Sequence, residues 1–417
     1  MLLPADQQPI EHRDRSKSSD MGRKRETKKQ GRARRQGAKS SSKEEEGGQV
    51  EAGSHKQQGD LISSKLLDDI LARILSLVPY KQAVRASATC RRWKNLYLQL
   101  PHVYLFLLSR GAGAGAVQST ERMLRQRRHD QNRIQMLRVI YGADVPAERE
   151  HAARFIELAD APTLEVWADC VDKGLPDGGA GAWSLDLPPS TATLKLWTSD
   201  WAVQLPRVHG AGVGSLKTFT LDGPLVLRGG TLAALHLPSL ENLSINLCTI
   251  DAGAAMAITS GAMPRLKHLR ITDVTVVDAG RPGSIAVDAD ELVTLHMSPS
   301  ARAGHTVYFS VHLRAPKLRV LRWRVCWAYE VRIHSVGRLS DVAVELAYGV
   351  MPMIRPEKPR TITMEEAQAL MRSILAGLLP GLRHLGLGLN QLVRNVCGLH
   401  DEQKLLCEIS TEEDLVD

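Results

Sequence analysis

The sequence predicts an α+β fold: a small cluster of three helices followed by a horseshoe-shaped solenoid of α/β repeats. Two observations predict this order. Apolar residues at helical spacing begin near residue 60, and a leucine pattern of fixed period occupies the second half of the chain. Aromatic residues are only 4% of the 417 residues, so Leu, Val and Ala must supply most of the core, which suits stacked repeats.

The helical module begins at Asp60, where dense apolar residues replace a polar arm. An apolar stripe marks its first helix, and Pro79 ends that helix because proline cannot continue the hydrogen-bond ladder. A second helix is expected at residues 81–89, and a third is expected from Cys90, with Trp93 buried. A core this small is marginal, so we expect the module to bind a partner. The stripe consists of Leu67, Ile70, Leu71, Ile74 and Leu75.

The repeated pattern is L-x-x-L-x-L followed by a small or apolar position. Its successive copies at Leu240, Leu266, Leu292 and Leu318 begin 26 residues apart. That period lies within the roughly 20–29 residues of leucine-rich repeats, in which each unit supplies a short strand and a return segment. One unit cannot bury its apolar side alone, so the pattern predicts stacked units.

Irregular units at both ends bring the predicted number of repeats to about eight or nine. A further full copy is expected at Leu382, two residues after Pro380. The return segment before it is predicted to be helical, because Thr363 and Glu366 fit a capping box and Gly377 fits a helix stop. The irregular units begin at Leu164, Leu194, Leu216 and Leu339.

The chain is predicted to divide into five parts. They are a basic arm at 1–59, the helical module at 60–105, linker helices at 106–160, the solenoid at 161–395 and an acidic tail at 396–417. The arm is expected to be disordered because it is almost free of large apolar residues. Much of the formal net charge of +8 lies in the arm, which argues against a nucleic-acid surface along the whole chain.

The sequence lacks the motifs of several protein classes. The six cysteines form no C-x-x-C pair, so no zinc site and no cofactor is expected. Cys248 and Cys326 occupy equivalent repeat positions and are expected to be buried. The absence of G-x-S-x-G, H-E-x-x-H and Walker loops argues against an enzyme. Without a secretory signal or a stretch of about 20 apolar residues, the chain is expected in the nucleus and/or cytoplasm, with no membrane partner.

Residues 60–93 resemble the F-box of plant F-box/leucine-rich-repeat proteins. The usual form in that family is D-x-I-S-x-L-P-D-x-I-L-x-x-I-L-S-x-L-P, followed by A-V-R-x-S and R-R-W. Leu67 stands where the family has proline, and Ser64-Lys65 adds one residue before this point. The matching residues are Asp60, Ile62, Ser63, Leu66, Asp68, Ile70, Leu71, Ile74, Leu75, Ser76, Leu77, Pro79, Ala83, Val84, Arg85, Ser87, Arg91, Arg92 and Trp93.

The resemblance implies a substrate-recognition subunit of an SCF-type E3 ubiquitin ligase. In that family the F-box binds a Skp-type adaptor, which links it to a cullin scaffold, while the repeats bind the target protein. The ubiquitin chemistry would then belong to other subunits. The adaptor contacts carried over from the family pattern are Leu66, Ile70, Ile74, Leu75, Leu77, Pro79, Val84 and Trp93.

The target is expected on the concave face of the solenoid. In a repeat strand the leucines point inward, so the residues between them face outward. Arg270, Arg322 and Arg324 would match an acidic or phosphorylated segment of the target. A solvated sheet face without a partner is the alternative. The expected concave-face residues are Asn242, Ser244, Asn246, His268, Arg270, Thr272, His296, Arg322 and Arg324.

The basic arm carries a cluster typical of a nuclear-localisation signal. Two other functions stay open: a nuclear repeat protein whose F-box-like module engages no ligase, and nucleic-acid binding through the arm. Nucleic-acid binding through the arm is the second of these alternatives. The residues of the cluster are Arg23, Lys24, Arg25, Lys28, Lys29, Arg32, Arg34 and Arg35.

Overall fold

The computed structural model describes a set of separate stretches of the chain. They are residues 68–78, 80–87, 96–108, 114–142, 145–169, 184–198, 207–224, 226–228, 235–251, 255–278, 281–299, 306–351, 360–399 and 404–410. All belong to one compact unit, Lys56–Asp417, and a second unit covers Met1–His55. The predicted basic arm and its localisation cluster therefore lie outside the described residues.

The helical module contributes two short α-helices to the described residues. These are α1 (Asp68–Leu75) and α2 (Tyr80–Ser87), and a 3-10 turn follows at Leu96–Leu98. Helix α1 ends just before Ser76, whose hydroxyl donates a hydrogen bond to the Arg73 carbonyl at 2.7 Å. The third helix predicted from Cys90 lies outside the described residues.

A sheet of twelve strands runs through the described part of the chain. Its first ten strands pair in parallel, and β24 pairs antiparallel with both β20 and β23. In spatial order the strands are β1 (His102–Phe106), β2 (Met136–Gly142), β3 (Thr163–Asp169), β5 (Thr193–Thr198), β7 (Thr218–Asp222), β9 (Asn242–Asn246), β12 (His268–Thr272), β16 (Thr294–Ser298), β18 (Val320–Arg324), β20 (Asp341–Ala347), β24 (Lys404–Ser410) and β23 (Cys397–Leu399).

The 26-residue period appears directly in this sheet. Strands β9, β12, β16 and β18 begin at residues 242, 268, 294 and 320 and pair without a register shift. The leucines at the second position of each strand stack on one another and are at most 1% exposed. They are Leu243, Leu269, Leu295 and Leu321. Burying one such side chain contributes about 1.5–3 kcal/mol. The prediction of a repeat solenoid is confirmed.

A second layer of strands covers the inner side of the large sheet, and the chain winds through about five solenoid turns. One small sheet contains β8 (Val226–Arg228), β10 (Thr249–Asp251), β13 (Thr275–Asp278) and β14 (Arg281–Pro282). Another contains β11 (Ala255–Thr259), β15 (Ser284–Asp288), β17 (Thr306–Ala315) and β19 (Cys326–Val336). Two further pairs are β4 (Ser184–Asp186) with β6 (Arg207–His209), and β21 (Gly349–Met351) with β22 (Arg360–Ile362).

The described return segments of the regular repeats are therefore strands and not the helices of an α/β repeat. Buried and more exposed residues alternate in β15, where Ile285 and Val287 lie on the buried side. That period of two fits a strand and not a helix. Among the described connections, α-helices link strands of the large sheet only toward its ends, where α3 (Ala114–His129) and α4 (Pro146–Ala159) follow β1 and β2.

The large sheet begins earlier than the sequence predicted. Residues 106–160 were expected to be linker helices, yet β2 lies among them and pairs with β3. Leu137, Val139 and Tyr141 of β2 are fully buried, so this strand belongs to the solenoid core. The predicted acidic tail at 396–417 likewise contains β23 and β24, which complete the sheet at its other edge.

Helix α5 (Met364–Leu382) both confirms and corrects the sequence analysis. Its predicted capping box is present: the Glu366 N–H donates to Thr363 Oγ1 at 3.2 Å, and the Thr363 N–H donates to Glu366 Oε2 at 3.0 Å. Gly377 does not stop the helix. A Cβ at Gly377 would stand 2.8 Å from the Cβ of Ile333 on β19, so glycine serves instead to let the helix lie close to that strand.

The repeat predicted at Leu382 is wrong. Leu382 ends α5, Arg383–Leu385 forms a 3-10 turn, and α6 (Leu389–Arg394) follows. Pro380, expected in a turn before a strand, lies inside α5. The leucine spacing in this segment also fits the buried side of a helix, which continues through Ile374 and Leu378.

Left-handed backbone conformations mark the corners where the chain leaves the large sheet. Leu247, Asp273 and Val325 have φ angles of 56°, 53° and 50°, and each directly follows a strand. Each N–H still donates to the next strand, Leu247 to the Thr272 carbonyl and Asp273 to the Ser298 carbonyl. The ladder therefore holds a conformation that is unfavourable for side chains with a Cβ.

Gly223 occupies the equivalent corner after β7 and should not tolerate a side chain. Its φ is +102°, and a Cβ would stand 2.1 Å from the Thr198 carbonyl oxygen. We expect Gly223→Ala to lower the free energy of unfolding by more than about 1 kcal/mol, measured by urea denaturation. Gly214→Ala is the control, because a Cβ there meets no atom within 4 Å. Equal midpoints for the two variants would contradict this account.

Candidate functional site

The apolar residues of α1 are divided between two sides of the helix. Leu71 and Leu75 are 2% and 4% exposed and share a small core with Leu96 and Leu100. Ile70 and Ile74, on the other side, are 45% and 47% exposed, and Leu77 after the helix is 74% exposed. We call Ile70, Ile74 and Leu77 the outer face of α1.

This outer face has the geometry of a binding surface for another protein. Single exposed apolar residues are ordinary on protein surfaces, but these three follow one another at spacings of four and three residues. Such spacing lays an apolar stripe along a helix, which fits an apolar groove in a partner. The small module core cannot cover the stripe itself.

The structure places the predicted adaptor contacts in three groups. Ile70, Ile74 and Leu77 form the outer face. Leu75 is buried in the module core, and Val84 is half-buried on α2. The remaining three, Leu66, Pro79 and Trp93, lie outside the described residues.

The helical module joins the solenoid at its first strand. Helix α2 contacts β1. Tyr97 packs against the module core and the solenoid core together. The outer face of α1 is therefore attached to the β1 edge of the large sheet.

The side of the large sheet that faces away from the core is called here the open face. All nine residues predicted to face a target occupy outward positions on β9, β12, β16 and β18, and none is buried. Arg270, His296 and Arg322 stand side by side in register on three neighbouring strands. We call these three residues and the nearby His268 and Arg324 the basic group.

Carboxylates neutralise the basic group only in part. Arg322 donates to Asp341 at 2.8 Å. Arg270 Nε instead donates to the Thr272 hydroxyl at 3.3 Å. Arg324 is paired in register with Glu345, and that carboxylate takes an ion pair with Lys404 at 3.1 Å. The basic group therefore keeps a positive charge suited to an anionic segment.

The charge of the basic group also acts on its histidine. Burial is the main reason that the pKa of His296 lies below its usual value of 6.5. The three neighbouring arginines lower this pKa further. His296 is therefore neutral at pH 7, and a bound anion would favour its protonation.

A second group on the open face lies at the other end of the sheet. Phe106, Ile140, Trp167 and Trp197 stand in one register row across β1, β2, β3 and β5. We call them the aromatic row. The rings of Trp167 and Trp197 have centroids 4.8 Å apart, within the range of favourable ring packing. Phe106 is 54% exposed at the end of the row.

An ion-pair network of Arg138, Glu165 and Lys195 lies next to the aromatic row and fixes the position of Trp167. The Arg138 guanidinium lies 4.9 Å from the ring centroids of both Tyr104 and Trp167. Glu165, only 6% exposed, accepts a hydrogen bond from Arg138 Nε at 2.6 Å and pairs with Lys195 at 3.4 Å. A buried carboxylate that satisfies two cations fixes their positions, so the ring of Trp167 is held as well.

Sequence analysis missed the aromatic row. It assigned outward residues only in the four regular repeats. The predicted unit starts at Leu164 and Leu194 put Trp167 and Trp197 at the second leucine of the pattern, which faces inward. In the sheet, Leu164 and Leu194 instead align through Phe219 with Leu243, which is itself a second leucine, so both starts are three residues too late. The residues that alternate with buried ones after these starts include Trp167 and Trp197.

The described residues contain no group of three or more His, Cys, Asp or Glu side chains that could hold a metal ion. Among the same residues, no helix is both long and apolar enough to cross a membrane.

Cys248 and Cys326 are each 1% exposed, as predicted. Burial raises the pKa of Cys248 to about 12 and also raises the pKa of Cys326.

The described residues thus present an exposed apolar helix face and, separately from it, the open face of the large sheet. Comparison with protein-family models shows an F-box domain at residues 63–96. This range contains α1 with its outer face and α2. The match supports an F-box protein. F-box domains generally bind Skp-type adaptors, and F-box proteins are typically non-enzymatic adaptors. Searches of curated proteins and of solved structures found no significant match.

The buried cysteines should resist alkylation in the folded protein. With a pKa of about 12 for Cys248, the thiolate fraction near pH 8 is on the order of 1 in 10,000. Treatment with N-ethylmaleimide followed by peptide mass spectrometry should therefore modify the exposed Cys397 long before Cys248 or Cys326. All three should react in urea. Modification of folded Cys248 as fast as Cys397 would show that this repeat corner opens readily.

Proposed function

We propose that this chain is the substrate-recognition subunit of an SCF-type E3 ubiquitin ligase. Its F-box binds a Skp-type adaptor, and through it a cullin scaffold, while its repeats bind the target protein. The outer face of α1 carries the proposal, because Ile70, Ile74 and Leu77 lie uncovered inside the matched F-box. The chain itself performs no chemistry and contributes proximity and orientation of the target.

We assign the solenoid to the leucine-rich repeats, as in plant F-box/leucine-rich-repeat proteins. The 26-residue period and the in-register parallel strands support this assignment. The strand-rich return segments fit it as well, because the short strands β10 and β13 pair at the same 26-residue spacing. The repeats thus form one continuous surface for a target.

The open face is the target surface in this proposal. Its basic group favours an acidic or phosphorylated segment, because guanidinium groups bind carboxylates and phosphates with two parallel hydrogen bonds. The target surface and the adaptor surface belong to different modules, so one chain engages both partners together. The basic cluster between residues 23 and 35 supports work in the nucleus, with the cytoplasm as a second location.

Charges on the outer face of α1 should abolish adaptor binding. We expect the double variant Ile70→Asp with Ile74→Asp to recover at least about tenfold less purified Skp-type adaptor in co-precipitation, because carboxylates are costly to bury in an apolar groove. Phe309→Asp is the matched control, since Phe309 is a 57% exposed apolar residue on β17 of the solenoid. Circular dichroism should show all three proteins folded. Equal adaptor recovery by wild type and double variant would refute the proposal.

Binding of an acidic segment should strengthen as the pH falls. The bound anion raises the pKa of His296, so the complex takes up a proton that the free protein lacks. We expect the affinity for a polyglutamate peptide, measured by fluorescence anisotropy, to rise between about pH 7.5 and pH 5.5. His296→Gln should flatten this dependence, and Arg270→Glu should weaken binding at every pH. An unchanged pH profile in the His296 variant would remove this histidine from the site.

A further inference from the structure

The proposed function assigns no role to the aromatic row. Its four side chains are large and lie on adjacent strands, and Trp167 is held by Arg138 before any partner arrives. Trp, Tyr and Arg are the residues that most often dominate the energy of protein interfaces. Here Trp167 contacts Arg138, which also lies over the ring of Tyr104. The row is thus a rigid apolar anchor on an otherwise polar face.

Two carboxylates, Glu165 and Asp222, offset the two cations beside the row, and Asp222 stands in register with Trp197. Arg138 and Lys195 both pair with Glu165. In the basic group, by contrast, Arg270 and His296 face each other without a carboxylate between them in the register row. The open face therefore offers apolar contact at one end and positive charge at the other.

The two groups are separated by a fixed number of strands. Trp197 on β5 is three strand steps from Arg270 on β12 and five from Arg322 on β18. With about 4.8 Å between neighbouring strands, these steps correspond to roughly 14 and 24 Å. An extended peptide advances about 3.3 Å per residue, so about four to seven residues bridge the gap.

Short polar side chains fill the strip between the groups. They belong to β7 and β9, and some are already ordered by one another: Asn242 donates to the Thr218 hydroxyl at 3.3 Å, and the Ser244 hydroxyl donates to Asn246 at 3.4 Å. Side chains of this size leave room for a chain lying across the strands. Their hydroxyl and amide groups can hydrogen-bond to its backbone.

We propose that the open face recognises an extended peptide segment with two separated parts. A bulky apolar side chain packs on the aromatic row, and a cluster of acidic or phosphorylated side chains binds the basic group about four to seven residues away. This inference rests on the proposed function, because the segment would belong to the ligase target. It adds the spacing and the second, apolar contact.

A single-stranded nucleic acid is the competing occupant, because it too uses aromatic and basic side chains. Two observations favour the peptide. The rings of Trp167 and Trp197 pack on one another and Arg138 lies over Trp167, so a base cannot insert between these groups. The strip on β7 and β9 offers Thr220, Ser244 and the carboxyl group of Asp222 in place of a continuous positive track for phosphates.

The test measures binding of the full chain to peptides of graded spacing. Each fluorescent peptide joins a Trp-Leu anchor to a run of glutamates through a Gly-Ser spacer of none to about ten residues, in both orders. We expect the affinity to peak at spacers of about four to seven residues. At the peak it should exceed that of the glutamate run alone by about tenfold or more. Affinity that does not depend on spacer length would overturn the proposal.

Three variants locate the contact. Trp197→Ala and Phe106→Ser should each remove the advantage of the anchored peptide while leaving the affinity for the glutamate run unchanged. Phe106 is 54% exposed, so its replacement opens no core. Phe309→Ser, on the other layer of the solenoid, should change neither. Unaltered affinity in both row variants would refute the apolar contact. So would displacement of the peptide by a single-stranded oligonucleotide whose own binding needs Trp197.

Adaptor recovery by the same proteins separates this inference from the proposed function. Wild type and the Trp197 and Phe106 variants should recover equal Skp-type adaptor. If the adaptor is bound but no spacer optimum appears, the two-part segment is wrong and the ligase proposal stands. If a spacer optimum appears but wild type recovers no adaptor, the chain recognises the segment outside an SCF-type ligase.

Discussion

The in-register pairing of parallel strands is the constraint on which the rest of this structure depends. Each strand buries its leucines only because the neighbouring strands place theirs at the same height. A shift of one residue between two strands would turn every leucine of one strand toward solvent. The same register aligns the open face, because the outward residues between the leucines must also stand side by side on neighbouring strands. Both binding groups proposed for this face consist of such aligned residues.

The residues that follow the strands of the large sheet keep the backbone hydrogen bonds between strands even where their own conformation is unfavourable. Val325 is β-branched and still adopts a left-handed conformation, with a φ of 50°. Its N–H donates to the Glu345 carbonyl at 2.7 Å and so extends the pairing between β18 and β20 by one step. Keeping that hydrogen bond offsets a backbone cost of about 1–3 kcal/mol. The direction of the chain at a corner is therefore set by the neighbouring repeat more than by the residue at the corner.

The sequence was most informative where one period governs both strand and return segment. The strands from Asn242 to Arg324 could be predicted because the period of two in the leucines and the 26-residue period agree. The prediction of secondary structure failed where the same leucine spacing fits both a strand and a helix. The leucines around Leu378 and Leu382 fit a repeat strand and also the buried side of a helix. Gly381 allows the helix to pack here. A Cβ at this position would stand 2.4 Å from the Gly337 carbonyl oxygen, so only glycine lets α5 approach that carbonyl. Such a contact between distant segments is invisible in local sequence.

The candidate site divides in the same way. The basic group was predicted because it lies in regular repeats, whereas the aromatic row lies on strands whose separation along the chain varies. In the F-box, the spacing of α1 revealed an apolar helix but not which of its two apolar sides would be covered. Packing against Leu96 and Leu100 settled that division and left Ile70 and Ile74 outside.

The reversed direction of β24 has a consequence for how such a chain could change its length. Because β24 runs antiparallel along β20, another parallel unit cannot be appended at that edge, and the helical module is attached at the other. A new unit fits only inside the array, where each strand meets like neighbours on both sides. Each unit gained between β5 and β12 would move the aromatic row and the basic group apart by one strand width, about 4.8 Å. The number of units between β5 and β12 therefore sets the distance between the two parts of a peptide that binds across the sheet.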